Sequence, residues 1–191
     1  MEPRTPQARA TTVRLYAVGA IFLVPLSIGV LLVNSSASQN DHANEISRDV
    51  ASMYAQGIDF SKTENRNIVL RAAEGLGVHI DEGHGVLIIS KIRVVHDSDC
   101  PADQPASCAN KGFAVVTQRY VIGSAGLRTS SFGTPARVDA ATGNVRNWAN
   151  DVSARAEDFT THLNPGEVTY AAECYLAAPE SHTGVYSRSM F

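Results

Sequence analysis

Gly85-Val86-Leu87-Ile88-Ile89-Ser90-Lys91-Ile92-Arg93-Val94-Val95 carries apolar residues at consecutive positions through its first half. A strand covered on one face alternates apolar with polar residues, whereas a strand buried between two layers is apolar on both sides. This stretch therefore predicts a central strand that needs a cover for each face. Phe113-Ala114-Val115-Val116-Thr117-Gln118-Arg119-Tyr120-Val121-Ile122 is the next strand, and the pair reads as an antiparallel hairpin. A third strand is expected over residues 167–178, entered from the turn Asn164-Pro165-Gly166. Along it Val168, Tyr170, Ala172, Cys174 and Leu176 share a face that reads as core, which makes Cys174 a small buried hydrophobe. Glu167 and Glu173 lie on the other face, about 20 Å apart on an extended strand, and read as exposed charges.

N-terminal to the hairpin the period becomes helical. Ile46, Val50, Met53 and Tyr54 recur on one helix face, with Gly57 as a stop. Ser61 and Glu64 have capping-box spacing before a second helix, which Gly75 or Gly77 would end. Its stripe of Ile68, Val69, Ala72, Ala73 and Leu76 needs a covering layer. Residues 124–147 are polar and glycine-containing, and a short helix is expected over 152–159. The tail after Pro179 is polar until Met190 and Phe191. The fold class is α+β, with two helices and an antiparallel sheet of at least three strands.

Between Leu15 and Val33 the chain is apolar and uncharged. Leu15, Tyr16, Ile21, Phe22, Leu23, Val24, Leu26, Ile28, Val30, Leu31, Leu32 and Val33 form the candidate membrane anchor. A transmembrane helix needs about 20 mainly apolar residues, a length this run just reaches. Arg4, Arg9 and Arg14 precede it and Asp41 and Glu45 follow, which places the N-terminus in the cytoplasm by the positive-inside rule. The expected organisation is a cytoplasmic segment (1–14), a transmembrane helix (15–33), a stalk and helix (34–60) and an extracytoplasmic domain (61–191). The lipid bilayer is then a partner, and the chain is a single-pass protein of the cytoplasmic membrane. A cleavable secretory signal ending near Ser36-Ala37-Ser38 is the competing reading; its apolar region would be only about 7–15 residues.

A net charge of -3, with no basic run, leaves no electrostatic footprint for nucleic acid. Of the three cysteines, Cys100 and Cys108 bracket a short polar loop between the first two strands. A Cys100–Cys108 disulfide is the expected state, since an extracytoplasmic compartment permits it and closing so short a loop contributes roughly 2–3 kcal/mol. Two free thiols or half a zinc site are the alternatives, although zinc would need C-x₂₋₄-C spacing and a second ligand pair. His79, His84 and His96 lie near Asp81, Glu82, Asp97 and Asp99, but no helical ligand spacing or EF-hand pattern organises them. A solvated acidic loop is the simpler reading, and a metal or small ligand at this region stays open. The glycine pairs match neither a phosphate cradle nor a G-x-S-x-G elbow. No nucleophile-base-orienter set emerges, so neither an enzyme nor a cofactor is expected.

Four phrases carry a resemblance: residues 48–61 (Arg48-Asp49-Val50-Ala51-Ser52-Met53-Tyr54 onward), Gln118-Arg119-Tyr120-Val121-Ile122-Gly123, Ser131-Phe132-Gly133-Thr134-Pro135, and Gly166-Glu167-Val168-Thr169-Tyr170-Ala171-Ala172-Glu173. In this order behind one N-terminal apolar segment, they resemble bacterial TadE/TadG-like proteins. That family supplies minor pilins or pseudopilins of the tight-adherence (Flp pilus) machinery. The resemblance implies a non-enzymatic envelope protein whose anchor packs with other pilin helices. Its head would face the periplasm or filament surface, and its partners would be other pilin-like or Tad assembly proteins. Pilin-type members have a glycine-terminated leader and a glutamate early in the apolar helix. Here Gly19 lies inside the run and no acidic residue occurs from Thr5 through Asn40. A membrane-anchored extracytoplasmic ligand-binding or sensor module is the alternative class.

Overall fold

The computed structural model describes residues 38–79, 83–100, 108–159, 163–177 and 185–191. The chain divides into two units at Gln39/Asn40, and the second holds nearly all of these residues. The twelve candidate anchor residues lie outside them. Among the described residues no helix is long and apolar enough to cross a membrane.

β1 (Gly85–Val94) is paired on both sides, with β2 (Ala114–Gly123) and with β3 (Val168–Leu176). β4 (Val185–Met190) adds beyond β3, so the order is β2-β1-β3-β4 and every pair is antiparallel. The three strands expected from sequence are present. β4 is an addition, drawn from a tail whose serines hide the alternation.

Period-two alternation sorts the central strand between two covers. Leu87 and Ile89 join Tyr120, Ile122, Ala172, Cys174 and Leu176 beneath two helices. The first helix, α1, covers residues 38–55 and contributes Val50, Ala51 and Tyr54. α2 (Thr63–Ala73) contributes Val69 and Ala73. On the second face Ile92 and Val94 pack with Phe132, Val145, Ala154 and Phe159, all from the long β2–β3 connection. The doubly apolar strand thus has both its covers, one helical and one made of irregular chain.

Local chemistry moves several boundaries. Gly57, at φ +90°, lets Gly57 N bond Tyr54 O and Ile58 N bond Met53 O, which closes α1. The capping box does not form: Ser61 N bonds Asp59 Oδ1 at 2.9 Å, and Lys62 is the N-cap. The buried stripe of α2 is rotated from the expected one, leaving Ile68 57% exposed and adding Leu70. The expected helix over 152–159 is two 3₁₀ turns, Val152–Ala154 and Glu157–Phe159. Between them Arg155 makes a β-bridge to Val115, which requires extended backbone and interrupts any helix.

α1 crosses the sheet from β4 to β2. Midway along it, buried Ser47 hydrogen-bonds Ser187 at 2.9 Å and Ser189 at 3.1 Å, and Ser187 also donates to Asn44. Near its end, the Tyr54 hydroxyl donates to Gln118 Oε1 of β2 at 2.5 Å. Small side chains at Ala43 and Ser47 bring the helix close to a strand whose inner face is serine.

The outer edge of β2 is partly closed by the same irregular chain. Arg119 N donates to Gly143 O (2.7 Å), Val145 N to Thr117 O (2.9 Å) and Ala156 N to Ala114 O (2.9 Å). Gly143 has φ +69°, and an added Cβ would sit 2.7 Å from the Tyr120 ring and 2.8 Å from Arg119 O. Gly143→Ala should therefore lower the free energy of unfolding by about 1–3 kcal/mol in urea titrations. Gly126→Ala, where nothing lies within 4 Å, should leave it nearly unchanged.

Candidate functional site

The second face of the sheet carries two buried charges. Arg119 on β2 is opposite Ser90, and Glu173 on β3 is opposite Ile88, so a central strand separates them. Arg119 is 8% exposed and Glu173 2%. Glu173 is thus not the solvent-facing charge that simple alternation suggests. Burial of an unpaired ion costs several kcal/mol, so both must find partners.

The partners come from a strap, residues 124–135, laid over this face. Arg119 Nη2 donates to Ser130 Oγ at 2.9 Å and to Phe132 O at 3.0 Å. Its Nη1 reaches Gly133 O at 2.8 Å, and its Nε reaches Ser90 Oγ at 3.1 Å. Ser130 Oγ in turn donates to Glu173 Oε2. Glu173 Oε1 accepts from Ser131 N (2.9 Å), Ser131 Oγ (2.8 Å) and the Tyr186 hydroxyl of β4 (2.6 Å). Arg128 lies over the Tyr186 ring, 4.1 Å from its centroid, and pins the start of the strap. Burial pulls the Arg119 guanidinium down to about 10, with the Glu173 charge opposing that fall. Burial, and then donation to Glu173, push the Tyr186 hydroxyl above its ordinary value.

The arrangement is a clamp. Ser130 Oγ accepts from Arg119 and Phe132 N while donating to a carboxylate, and among the described residues no imidazole touches it. All four hydrogen bonds that Glu173 accepts come from the strap and β4. The set joins β2, β1, β3, β4 and the strap in one satisfied network. The signal that marked it was present in the sequence, since β1 is apolar on both faces and its second layer must also bury Glu173.

A second network lies under the helices. Gln118 Nε2 donates to the Tyr120 hydroxyl and to Thr142 O, both at 2.8 Å, and Tyr120 also donates to Thr142 O. Tyr54, Phe60, Tyr120 and Tyr170 stack edge-on around it. Burial foremost, then neighbouring tyrosines, raise the Tyr54 hydroxyl well above its ordinary value. These residues hold α1 to the 139–145 turn.

Cys100 and Cys108 are joined in a disulfide, with Cα atoms 5.5 Å apart. Cys174 is free and buried on the helix-covered face, as the alternation implied, and burial pushes its thiol up to about 12. His79 and His84 are exposed, while Asp81 and Glu82 lie outside the described residues. His96 caps a 3₁₀ turn by accepting from Ser98 N. Asp99 pairs with Arg93 at 3.0 Å and Asp97 with Lys111 at 2.8 Å. Among the described residues no three His, Cys, Asp or Glu side chains converge on a metal position.

Comparison with known families, curated proteins and solved structures finds no match for this chain.

Two expectations follow. Glu173→Leu leaves the Arg119 charge buried without its counter-charge and should cost about 3–5 kcal/mol in urea unfolding. The double variant Arg119→Met/Glu173→Leu should recover most of that loss; a cost for Glu173→Leu below about 1 kcal/mol would show that the clamp does not hold the strap. The native protein should take up no thiol reagent, and the denatured, unreduced chain one equivalent, at Cys174.

Proposed function

We propose that this chain is a non-enzymatic, single-pass envelope protein, a pseudopilin-like structural component of a Tad-type pilus assembly. Its α+β head would lie outside the cytoplasm, held to the membrane through Leu15–Val33. The observation that carries the reading is α1. α1 follows the apolar segment in the sequence and is bonded into the head at both β4 and β2. A head mounted on a helix that directly follows an apolar segment suits a component positioned by its membrane span. The Cys100–Cys108 disulfide supports an oxidising compartment. The clamp supports a structural role, because its polar groups are occupied by one another.

The reading is tested in a bacterium expressing the full chain. The protein should resist alkaline extraction from membranes, and a periplasmic protease should remove the head. Detergent pull-down should recover pilin-like or Tad assembly proteins, and deletion should change piliation. A soluble product starting near Ala37, or a pull-down free of pilus proteins with unchanged pili, would overturn it.

A further inference from the structure

β2 is an edge strand, and its own chain covers only part of that edge. Residues 143–145 and 155–156 close it from Ala114 to Arg119. Beyond them the antiparallel ladder alternates: Ser124 N bonds Gly85 O on the β1 side, whereas Arg119 N faces outward to Gly143 O. The N–H and C=O of Val121 accordingly point outward, and they have no partner among the described residues.

Two grooves flank this point, one on each face, and both are lined by Val121, which is 41% exposed. The strap-side cleft, of about 220 Å³, is bordered by Ile88, Val138, Arg119 and Arg128. The helix-side groove, of about 240 Å³, lies between Arg66 and Leu70 of α2 and Ile122 of β2. No carboxylate lines either one. Arg66, Arg119 and Arg128 make no ion pair among the described residues, and the buried Arg66 Nε has no hydrogen-bond partner there.

We propose that the open Val121 edge is a docking site for an extended, acidic segment of a partner protein, which adds to the sheet as a strand beside β2. Main-chain bonds to Val121 supply attraction, and side chains alternate between the two grooves. The residue opposite Val121 enters the strap-side cleft, where a carboxylate meets Arg128. Its neighbours enter the helix-side groove, where a carboxylate meets Arg66 and an apolar side chain meets Leu70. The chain already uses this geometry on itself, since Asn144 bridges Gln118 just before the open stretch. The surface does not depend on the membrane anchor, so this proposal and the pilus reading fail separately.

The test uses the full chain in detergent and a fluorescent, extended peptide of Glu and Val residues. A second peptide carries Lys in place of each Glu. The acidic peptide should bind saturably and slow hydrogen exchange at the Val121 amide, while the basic one binds about tenfold more weakly or worse. Val121→Pro removes an outward N–H without touching the β1 ladder, a position where proline is tolerated. Val121→Pro and Arg66→Glu should each weaken binding by about tenfold or more with thermal stability retained. If Val121→Pro fails to fold, Arg66→Glu and the exchange pattern decide. Absent binding, or binding indifferent to these changes, would overturn the proposal. So would concentration-dependent protection of Val121 without peptide, which would assign the edge to a second copy.

Discussion

Two ions of opposite sign, on strands that are not neighbours, set the terms for the rest of this structure. Arg119 and Glu173 are separated by β1 and meet through Ser130 of the strap. Without the strap, each would face either water or an unsatisfied interior, and the second face of the sheet would lack a cover. With it, the charges are shared over hydroxyls and backbone groups in a medium that strengthens such bonds. The strap is therefore fixed where the β2–β3 connection begins. The remainder of that connection then falls where it can fill the second core with Phe132, Val145 and Phe159.

The same connection also settles an edge. An exposed strand edge invites unwanted pairing, and proteins blunt it by covering, shortening or charging it. β2 is covered along its first half by residues 143–145 and 155–156. At the other side of the sheet β4 is short and carries Arg188, which pairs with Asp158 at 3.6 Å. Clamp, second core and edge cover are consequences of one segment running from residue 124 to 159. This explains why so long a stretch without regular helix is nonetheless held in place.

Legibility in the sequence followed the strength of each local signal. The first three strands were readable because Val, Ile and aromatic residues alternate or run continuously over their lengths. Glu173 reads as exposed when the alternation of β3 is taken alone. Ile88, Ile92 and Val94 already required a second layer over the face on which Glu173 lies, and combining the two strands removes the error. β4 escaped because Ser187 and Ser189 occupy its inward positions, where a polar contact with Asn44 and Ser47 replaces the apolar one. The capping box failed because Asp59, two residues earlier, takes the Ser61 amide. Only the β4 contact depends on partners brought close by the fold; the Asp59–Ser61 competition is local, and Glu173 is legible once the two strands are taken together.

The course of α1 joins the two functional readings. Its middle turns sit on β4 through Asn44 and Ser47, and its last turns reach β2 through Tyr54. The first described turn of α1 therefore lies toward the β4 side of the sheet. The open part of the β2 edge lies at the other side, and α2 and the strap form its walls. Both walls are made by elements that the buried networks hold rigid: the strap by Glu173, and the start of α2 by the aromatic packing around Phe60. Pre-ordering of this kind lowers the entropy cost of docking, since only the incoming segment has to be fixed. The clamp's polar groups are taken up by one another and hold the strap against the sheet beside that edge.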